Sequence, residues 1–485
     1  MISSLHWVRK GVAAEQPEKY ELTEQEYERI NVLTAGELKE AREELKEIKE
    51  EQMNDVKKEE DPELAEYNLE NYDDDDEEKI EGRPIKFFGS VKSLTYYASN
   101  EEDPYLTLND EEDGSEAEDL RILKTDNLLV AAKTEDEISQ LEIYVYEESN
   151  DNLYVHHDIM LPSFPLCLEW LDFRLGRKSD VPGGGNYIAV GTFEPEIEIW
   201  DLDTMESMYP DAIIGNREVK GGGKKKREKK INPNYHTDAV MSLAWNKQHR
   251  NILASSSADT TVKLWDLQKF ICAHSFNHHS DKVQQVQWHP IESTILITAS
   301  YDKTVTAFDS RSPQAIETWN ISSDPECIQW NPFSPQQFYV STEEGLVLCF
   351  DARNTGNDNN KNHHPLFTLH AHDSSVSALD VNPLIEGCLV TGSPDKTVKV
   401  WDVKSLKPNM VTSRDLSVGK VFSLQFCPDS PFQLAVAGSS GSVYIWDIST
   451  NAGVRHVFEG RGIPLGTSKI PVKDIDTQQY NNSVN

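Results

Sequence analysis

Long apolar runs are missing from this 485-residue chain, and no stretch approaches the roughly 20 residues that a membrane-spanning helix needs. Cysteine is sparse: Cys167, Cys272, Cys327, Cys349, Cys388 and Cys427 are scattered, with no C-x-x-C pair. Most of them fall in runs that read as strands, which points to buried free thiols in a reducing compartment and excludes a disulfide frame or a zinc ribbon. No phosphate loop, metal-ligand cluster or nucleophile elbow occurs, so no cofactor and no metal are expected. No positively charged region precedes a hydrophobic stretch at the start of the chain, which argues against secretion.

Positive charge is also in short supply, with 47 basic against 83 acidic residues and a formal net charge of −36. The imbalance is local. Residues 11–120 hold 37 acids and 12 bases, or −25, which leaves −11 for the other 375 residues. A polyanion repels nucleic acid over most of its surface and attracts basic proteins.

What the sequence has in abundance is repetition. Asp238–Asp266 is echoed by Asp281–Asp309, with Trp245 to Trp288 and Trp265 to Phe308 both 43 residues apart. Trp330 and Phe350-Asp351 follow 42 residues later, Val381 and Trp401-Asp402 a further 51, and Phe426 and Trp446-Asp447 a further 45. Two independent landmarks that keep one register over five units are a propeller-blade signature. Each unit has three short β-branched or alternating runs and a looser fourth, separated by turns such as Ala258-Asp259, Glu344-Gly345, Pro394-Asp395 and Ser440-Gly441. Four antiparallel strands make a blade, and radial packing of blades removes the edge problem of a lone sheet.

The pattern extends toward the amino terminus. Ile2–Trp7 matches Val240–Trp245 position for position, so it reads as the first strand of a blade whose next strands are Asn127–Ala132 and Leu141–Tyr146. Cys167–Trp170, Tyr187–Gly191 and Glu196–Asp201 form the next blade, with an outer strand near Met208–Ile214. The expectation is an all-β, seven-bladed propeller. Residues 1–10 carry the first strand, 11–120 an acidic, partly helical and disordered insertion, 121–460 the remaining strands, and 461–485 a tail.

The insertion has capping-box spacing at Thr23–Glu26 and Thr34–Glu37, with a narrow apolar stripe of Leu38, Ala41, Leu45 and Ile48 after the second. The stripe suits a helix leaning on the propeller or docking in a partner's groove. Asp73, Asp74, Asp75, Asp76, Glu77 and Glu78 are an unbroken acidic arm, readable as a solubilising tail or as a decoy for basic ligands such as histones or ribosomal proteins. Phe87-Phe88, Leu94, Tyr96-Tyr97 and Tyr105-Leu106 form an aromatic island expected to be pinned to something. Ser115, in Ser115-Glu-Ala-Glu118, is a candidate acid-directed phosphate acceptor.

A second loop, 216–235, carries the opposite charge. Lys224, Lys225, Lys226, Arg227, Lys229 and Lys230 follow a glycine tether and read as a nuclear-import signal or a contact to RNA phosphate. The insertion joins a first strand to a second and the basic loop follows a fourth strand, so the two are expected to leave opposite faces.

Within the repeats, His236, His279 and His372 each stand four residues before a strand valine, and Asp259, Asp302 and Asp395 each sit in a blade turn. With a strand Ser or Thr and Trp265 or Trp401 they could form hydrogen-bonded sets that lock a blade. A His, Asp and Ser combination also suggests catalysis, but it recurs blade after blade, as structure does and active sites do not; no enzyme is expected. Phe308 and Phe350 replace the blade tryptophan. The blade of Trp446 has Ser417 and Ser440-Gly441 in place of the His and Asp. Apolar packing is expected to hold these blades, with loosening there.

The Trp-Asp endings resemble those of the WD40 family, whose propellers are platforms for protein assembly. The order of His6-Trp7-Val-Arg-Lys-Gly11, the acidic insertion, Asp103-Pro-Tyr105-Leu-Thr-Leu, Val155-His-His-Asp-Ile-Met160, Asn186-Tyr-Ile-Ala-Val-Gly191, Ile197–Leu202, the lysine-rich loop and His236–Val240 is more specific. It is similar to the periodic tryptophan proteins of eukaryotes over nearly the whole chain. That resemblance implies a monomeric nucleolar factor within the large-subunit precursor particle, touching ribosomal proteins, other assembly factors and precursor ribosomal RNA, with chromatin roles in animal members. The rival readings are a histone or chromatin binder and a substrate receptor of a ubiquitin ligase. The last rests on Phe308-Asp-Ser-Arg311 and Phe350-Asp-Ala-Arg353, which resemble the Trp-Asp-x-Arg pair of such receptors.

Overall fold

A computed structural model describes residues 1–20, 120–176, 184–215, 232–312, 314–354 and 363–461. The capping boxes, the apolar stripe, the acidic arm, the aromatic island, Ser115, the basic cluster Lys224–Lys230 and the tail beyond Arg461 all lie outside the described residues.

Seven antiparallel sheets follow one another along the chain and make a seven-bladed β-propeller. The first blade is split: Ile2–Val8 is its innermost strand and pairs with Asn127–Glu135, which is followed by Ile138–Glu147 and Asn152–Leu161. The second runs Pro165–Leu171, Tyr187–Thr192, Ile197–Asp201 and Ala212–Ile214. The third (Val240–Phe276), fourth (Val283–Asn320), fifth (Pro325–His370) and sixth (Ala378–Asp415) blades are four-stranded and in plain sequence order. The seventh has three strands among the described residues, Val421–Phe426, Gln433–Gly438 and Val443–Asp447.

Alternation of β-branched and polar residues makes these strands. Their second and third members are buried on both faces because each blade packs on two neighbours. The apolar clusters accordingly straddle blades. One joins Leu264 and Phe276 of the third blade to Phe308 of the fourth. Another joins Trp319 of the fourth to Phe338 and Phe350 of the fifth. The ring closes where Ile2, Leu5 and Trp7 pack with Cys427, Ala435 and Ala437 of the seventh blade. Closure therefore depends on a strand from the first eight residues, separated from its hairpin partner by more than a hundred.

Residues 11–20 belong with the propeller and not with the insertion expected to begin at residue 11. Glu18-Lys19 pairs in parallel with Thr204-Met205, and the Ala14 N–H donates to Asp203 at 2.9 Å. The compact unit that contains the blades accordingly comprises Met1–Tyr20 and Ala117–Asn485. The chain also departs from the blade pattern at its other end. After Asp447 a 3₁₀ turn, Ile448–Thr450, leads into a helix, Ala452–Phe458, capped by the Asn451 side chain on the Gly453 N–H at 2.8 Å. Val454 and Phe458 of that helix fill the cluster between the sixth and seventh blades. Arg461 then grips Asp402 through two bonds of 2.7 Å.

Candidate functional site

The side chains that suggest catalysis are assembled, and their geometry is that of a lock. In the third blade His236 Nδ1 lies 3.0 Å from Asp259, its Nε2 lies 2.7 Å from the Ser255 hydroxyl, and Trp265 Nε1 donates to that hydroxyl at 2.7 Å. In the sixth blade the distances are 2.8 Å for His372 to Asp395, 2.8 Å for His372 to Thr391 and 2.9 Å for Trp401 to Thr391. One proton arrangement satisfies each chain: indole N–H to hydroxyl, hydroxyl to Nε2, and Nδ1–H to carboxylate. Burial lowers the pKa of His236 and of His372, so both rings are neutral at pH 7. Burial is the largest single influence and would raise the Asp259 and Asp302 carboxyls, but the hydrogen bonds from His236 and His279, the Thr261 and Thr304 hydroxyls and the Thr237 and Ser280 N–H groups, with the attraction of the imidazoles, together outweigh it and hold both below the usual range.

The fourth blade keeps His279, Asp302 and Thr298 without the indole; Thr298 donates to the Thr306 carbonyl. Phe308 is fully buried against Phe276 at 4.8 Å. The fourth blade thus has both a polar lock and apolar packing, more than the expected apolar packing. In the fifth, Phe350 stacks on Phe338 at 5.5 Å. The seventh has no lock. Val436 occupies the position of Ser255 and Thr391, and the buried Trp446 Nε1 has no hydrogen-bond partner among the described residues.

A second polar system had no signal in the repeats. It uses the residue just before the first-strand landmark of each blade: His6, Glu169, Ala244, Gln287, Gln329, Asp380 and Gln425. Apart from Ala244, these side chains are polar, and they stitch one innermost strand to the next. Glu169 accepts from the Trp245 N–H at 3.1 Å, Gln287 from Trp330 at 2.9 Å, Asp380 from Phe426 at 2.8 Å and Gln425 from Trp7 at 3.0 Å. Gln287 donates in turn to Gln329, and His6 lies 3.5 Å from Glu169. Burial pushes the Asp380 carboxyl up to about 7, against the pull of the Phe426 and Val381 N–H groups and of Lys247 and His6. The alternation of these residues is visible in the sequence, but nothing local says that they face a neighbouring blade.

A third system fixes the base of the acidic insertion. Asn186 accepts from Trp170 Nε1 at 2.9 Å and donates to Asp203 at 2.7 Å, and the same Asp203 holds Ala14. On the return side Ile122 N–H bonds to the Glu15 carbonyl and His156 Nε2 to the Leu120 carbonyl. Both ends of the insertion are therefore clamped to the first and second blades. The strand directions set the exits. The chain that leads to the insertion leaves its innermost strand after Val8 and runs through residues 11–20, while the basic segment lies between Ile214 and Val240, where the next innermost strand begins.

Arg311 and Arg353 fold back on their own turn carboxylates, Asp309 at 2.6 Å and Asp351 at 2.8 Å, with their side chains exposed. Burial pushes the Cys327 and Cys349 thiols up to about 12 and Cys427 to about 11, which makes them poor nucleophiles. Among the described residues no group of His, Cys, Asp and Glu is placed to hold a metal ion, and no helix is long and apolar enough to cross a membrane.

Comparison with known proteins fits this architecture. The WD domain, G-beta repeat model matches residues 229–266, 270–309, 363–402 and 413–447. An uncharacterized WD repeat-containing protein of Schizosaccharomyces pombe is 48% identical over 95% of this chain and 91% of its own length. Periodic tryptophan protein 1 of Saccharomyces cerevisiae is 38% identical over 95% of this chain and 90% of its own. Its Drosophila melanogaster homolog is 30% identical over 96% of both. Similarity of that extent, spanning the insertions as well as the blades, places the chain in the periodic tryptophan protein 1 family of WD40-repeat propellers.

Proposed function

We propose that this WD40 scaffold is non-catalytic and acts in nucleolar assembly of the large ribosomal subunit and maturation of its precursor RNA. The observation that carries the reading is the clamped insertion. A segment of net charge −25 is fastened at both ends to two blades of a rigid ring, and a segment with six bases in seven residues leaves from the opposite ends of the strands. Two segments of opposite charge on one ring can hold basic ribosomal proteins through the first and an import receptor or RNA phosphate through the second. Linkage through one body raises the effective concentration of weak contacts. The locks recur in the third, fourth and sixth blades, as structural parts do, and the buried thiols are not activated. Partners are ribosomal proteins, other assembly factors and precursor RNA, with the chain a monomer inside the particle, in the nucleus and nucleolus. Ser115 is a phosphate acceptor that deepens the acidic charge.

Sucrose-gradient sedimentation of the tagged protein from cells, with and without RNase and with its RNA identified, tests this. Co-migration with large-subunit precursors that collapses on RNase treatment is the expected result. Migration as free protein overturns it, and migration with nucleosomes moves the function to chromatin.

A further inference from the structure

Six blades share a packing rule that the seventh leaves unfinished. In each, one residue of the outer strand faces an apolar residue near the start of the third strand and covers the aromatic position of the next blade. Phe276 faces Val262 and packs on Phe308, Trp319 faces Val305 and packs on Phe338 in the cluster that holds Phe350, and Leu369 faces Val347 beside Trp401. Ile159 and Ile214 do the same beside Trp200 and Trp265. Arg414, facing Val398, lies over the Tyr444 and Trp446 rings at 5.9 and 5.7 Å.

The seventh blade has no such residue among the described ones. Its third strand, Val443–Asp447, is an edge. Val443 is partly exposed, whereas its counterparts Val262, Val305, Val347 and Val398 are at 2% or less. Tyr144, the aromatic of the first blade that the missing strand would cover, belongs to a cluster against which Leu153, Val443 and Ile445 pack while only partly buried. The chain does not supply the strand directly, because Asp447 begins the turn and helix that Arg461 ties to the sixth blade. A cleft of about 330 Å³ borders the start of the edge, between Arg414–Val418 and Ser442–Tyr444, so an extended chain has room.

We propose that the Val443–Asp447 edge is a docking site for a basic, extended segment of a partner protein, added as the fourth strand of the seventh blade. Unpaired strand edges are templates for such addition: main-chain hydrogen bonds supply affinity and alternate side chains supply selectivity. The charge of the occupant follows from the surroundings. Asp447, Glu148 and Asp151 gather around Tyr146 at one end of the edge; neutral donors reach them from Ser449, Ser430 and Tyr146, and among the described residues the only base in an ion pair with any of them is Lys10, on Glu148. A second copy of the chain would bring another −36 to the same place. The register follows from the complete blades, where the residue facing Val398 and the one facing Asp402 are Arg414 and Asn409, five apart, with the carboxylate partner first. The segment therefore carries a base five residues before a large apolar side chain that settles toward Tyr144. The site does not depend on which particle the protein joins.

The probe is the synthetic peptide Lys-Thr-Val-Thr-Val-Phe-Thr-Lys-Thr, added to the full-length protein, with hydrogen–deuterium exchange read at residues 442–447. At ten times its dissociation constant it slows exchange there by about tenfold, while a peptide with both valines replaced by proline has no effect. Replacing both lysines by glutamate weakens binding by about threefold or more at low salt. Three results overturn the proposal. One is the absence of any peptide effect. Another is an edge already protected in the full chain and released in a chain ending at residue 461, which would make the tail the occupant. The third is protection that rises with protein concentration alongside a dimer, which would make it a second copy.

Discussion

Replacing Thr391 by Val removes one oxygen and little volume, so it isolates the polar lock of the sixth blade from its packing. Thr391 is fully buried and serves two neighbours, His372 Nε2 at 2.8 Å and Trp401 Nε1 at 2.9 Å, which are themselves buried. Valine leaves both nitrogens without a partner in a site that water does not reach. An unsatisfied buried group costs about 1–3 kcal/mol, so two of them should cost about 3–4 kcal/mol even with partial relaxation. The loss should be concentrated in the sixth blade. Native-state hydrogen exchange over Cys388–Gly392 and Thr397–Asp402 should accelerate by two orders of magnitude or more, since about 1.4 kcal/mol is a factor of ten. A loss below about 1 kcal/mol, measured by exchange or by the urea midpoint, would show that the hydroxyl is not the keystone and that packing alone holds the blade.

The converse change, Val436→Thr, offers Trp446 Nε1 the hydroxyl it lacks; thermal denaturation should show no loss and a gain of up to about 1 kcal/mol, and a clear loss would mean that the indole is satisfied in another way. Asp380 holds its proton in the folded state up to about pH 7 but releases it near 3.9 when unfolded, so its contribution to stability is present at low pH and falls as pH rises between those values. Asp380→Asn removes that slope: beyond a constant offset, its urea midpoint relative to the parent should climb from pH 5 to pH 8, and parallel curves would refute the assignment. His236 and His372 behave oppositely, since their lowered folded values make stability fall as pH drops below about 6.5; His372→Gln should flatten that limb of a melting-temperature profile. Finally, Ile2 is fully buried in an innermost strand, so a bulky amino-terminal fusion should lower the melting temperature more than a carboxy-terminal one, and equal values would count against the role of that strand in closing the ring.

The blade count, the strand order and the locks were legible in the sequence because they are hairpin properties. His236 to Ser255, His279 to Thr298 and His372 to Thr391 are each 19 residues apart, and each His precedes its Asp by 23. An antiparallel register with short turns turns those fixed spacings into fixed distances, so periodicity alone determines them. The split first blade could be read for the same reason, from the match of Ile2–Trp7 to Val240–Trp245.

What only the tertiary structure decided lies between blades. Gln425 reaches the Trp7 N–H across 418 positions, Cys427 lies beside Asn127 across 300, and Asp203 catches Ala14 across 189. No repeat encodes such pairs, because they join residues in different blades and exist only once the ring has closed. The open edge at Val443–Asp447 belongs with them. Its sequence reads as an ordinary third strand, and among the described residues no fourth strand follows it, because the chain turns after Asp447 into a helix that buries Val454 and Phe458 between the sixth and seventh blades.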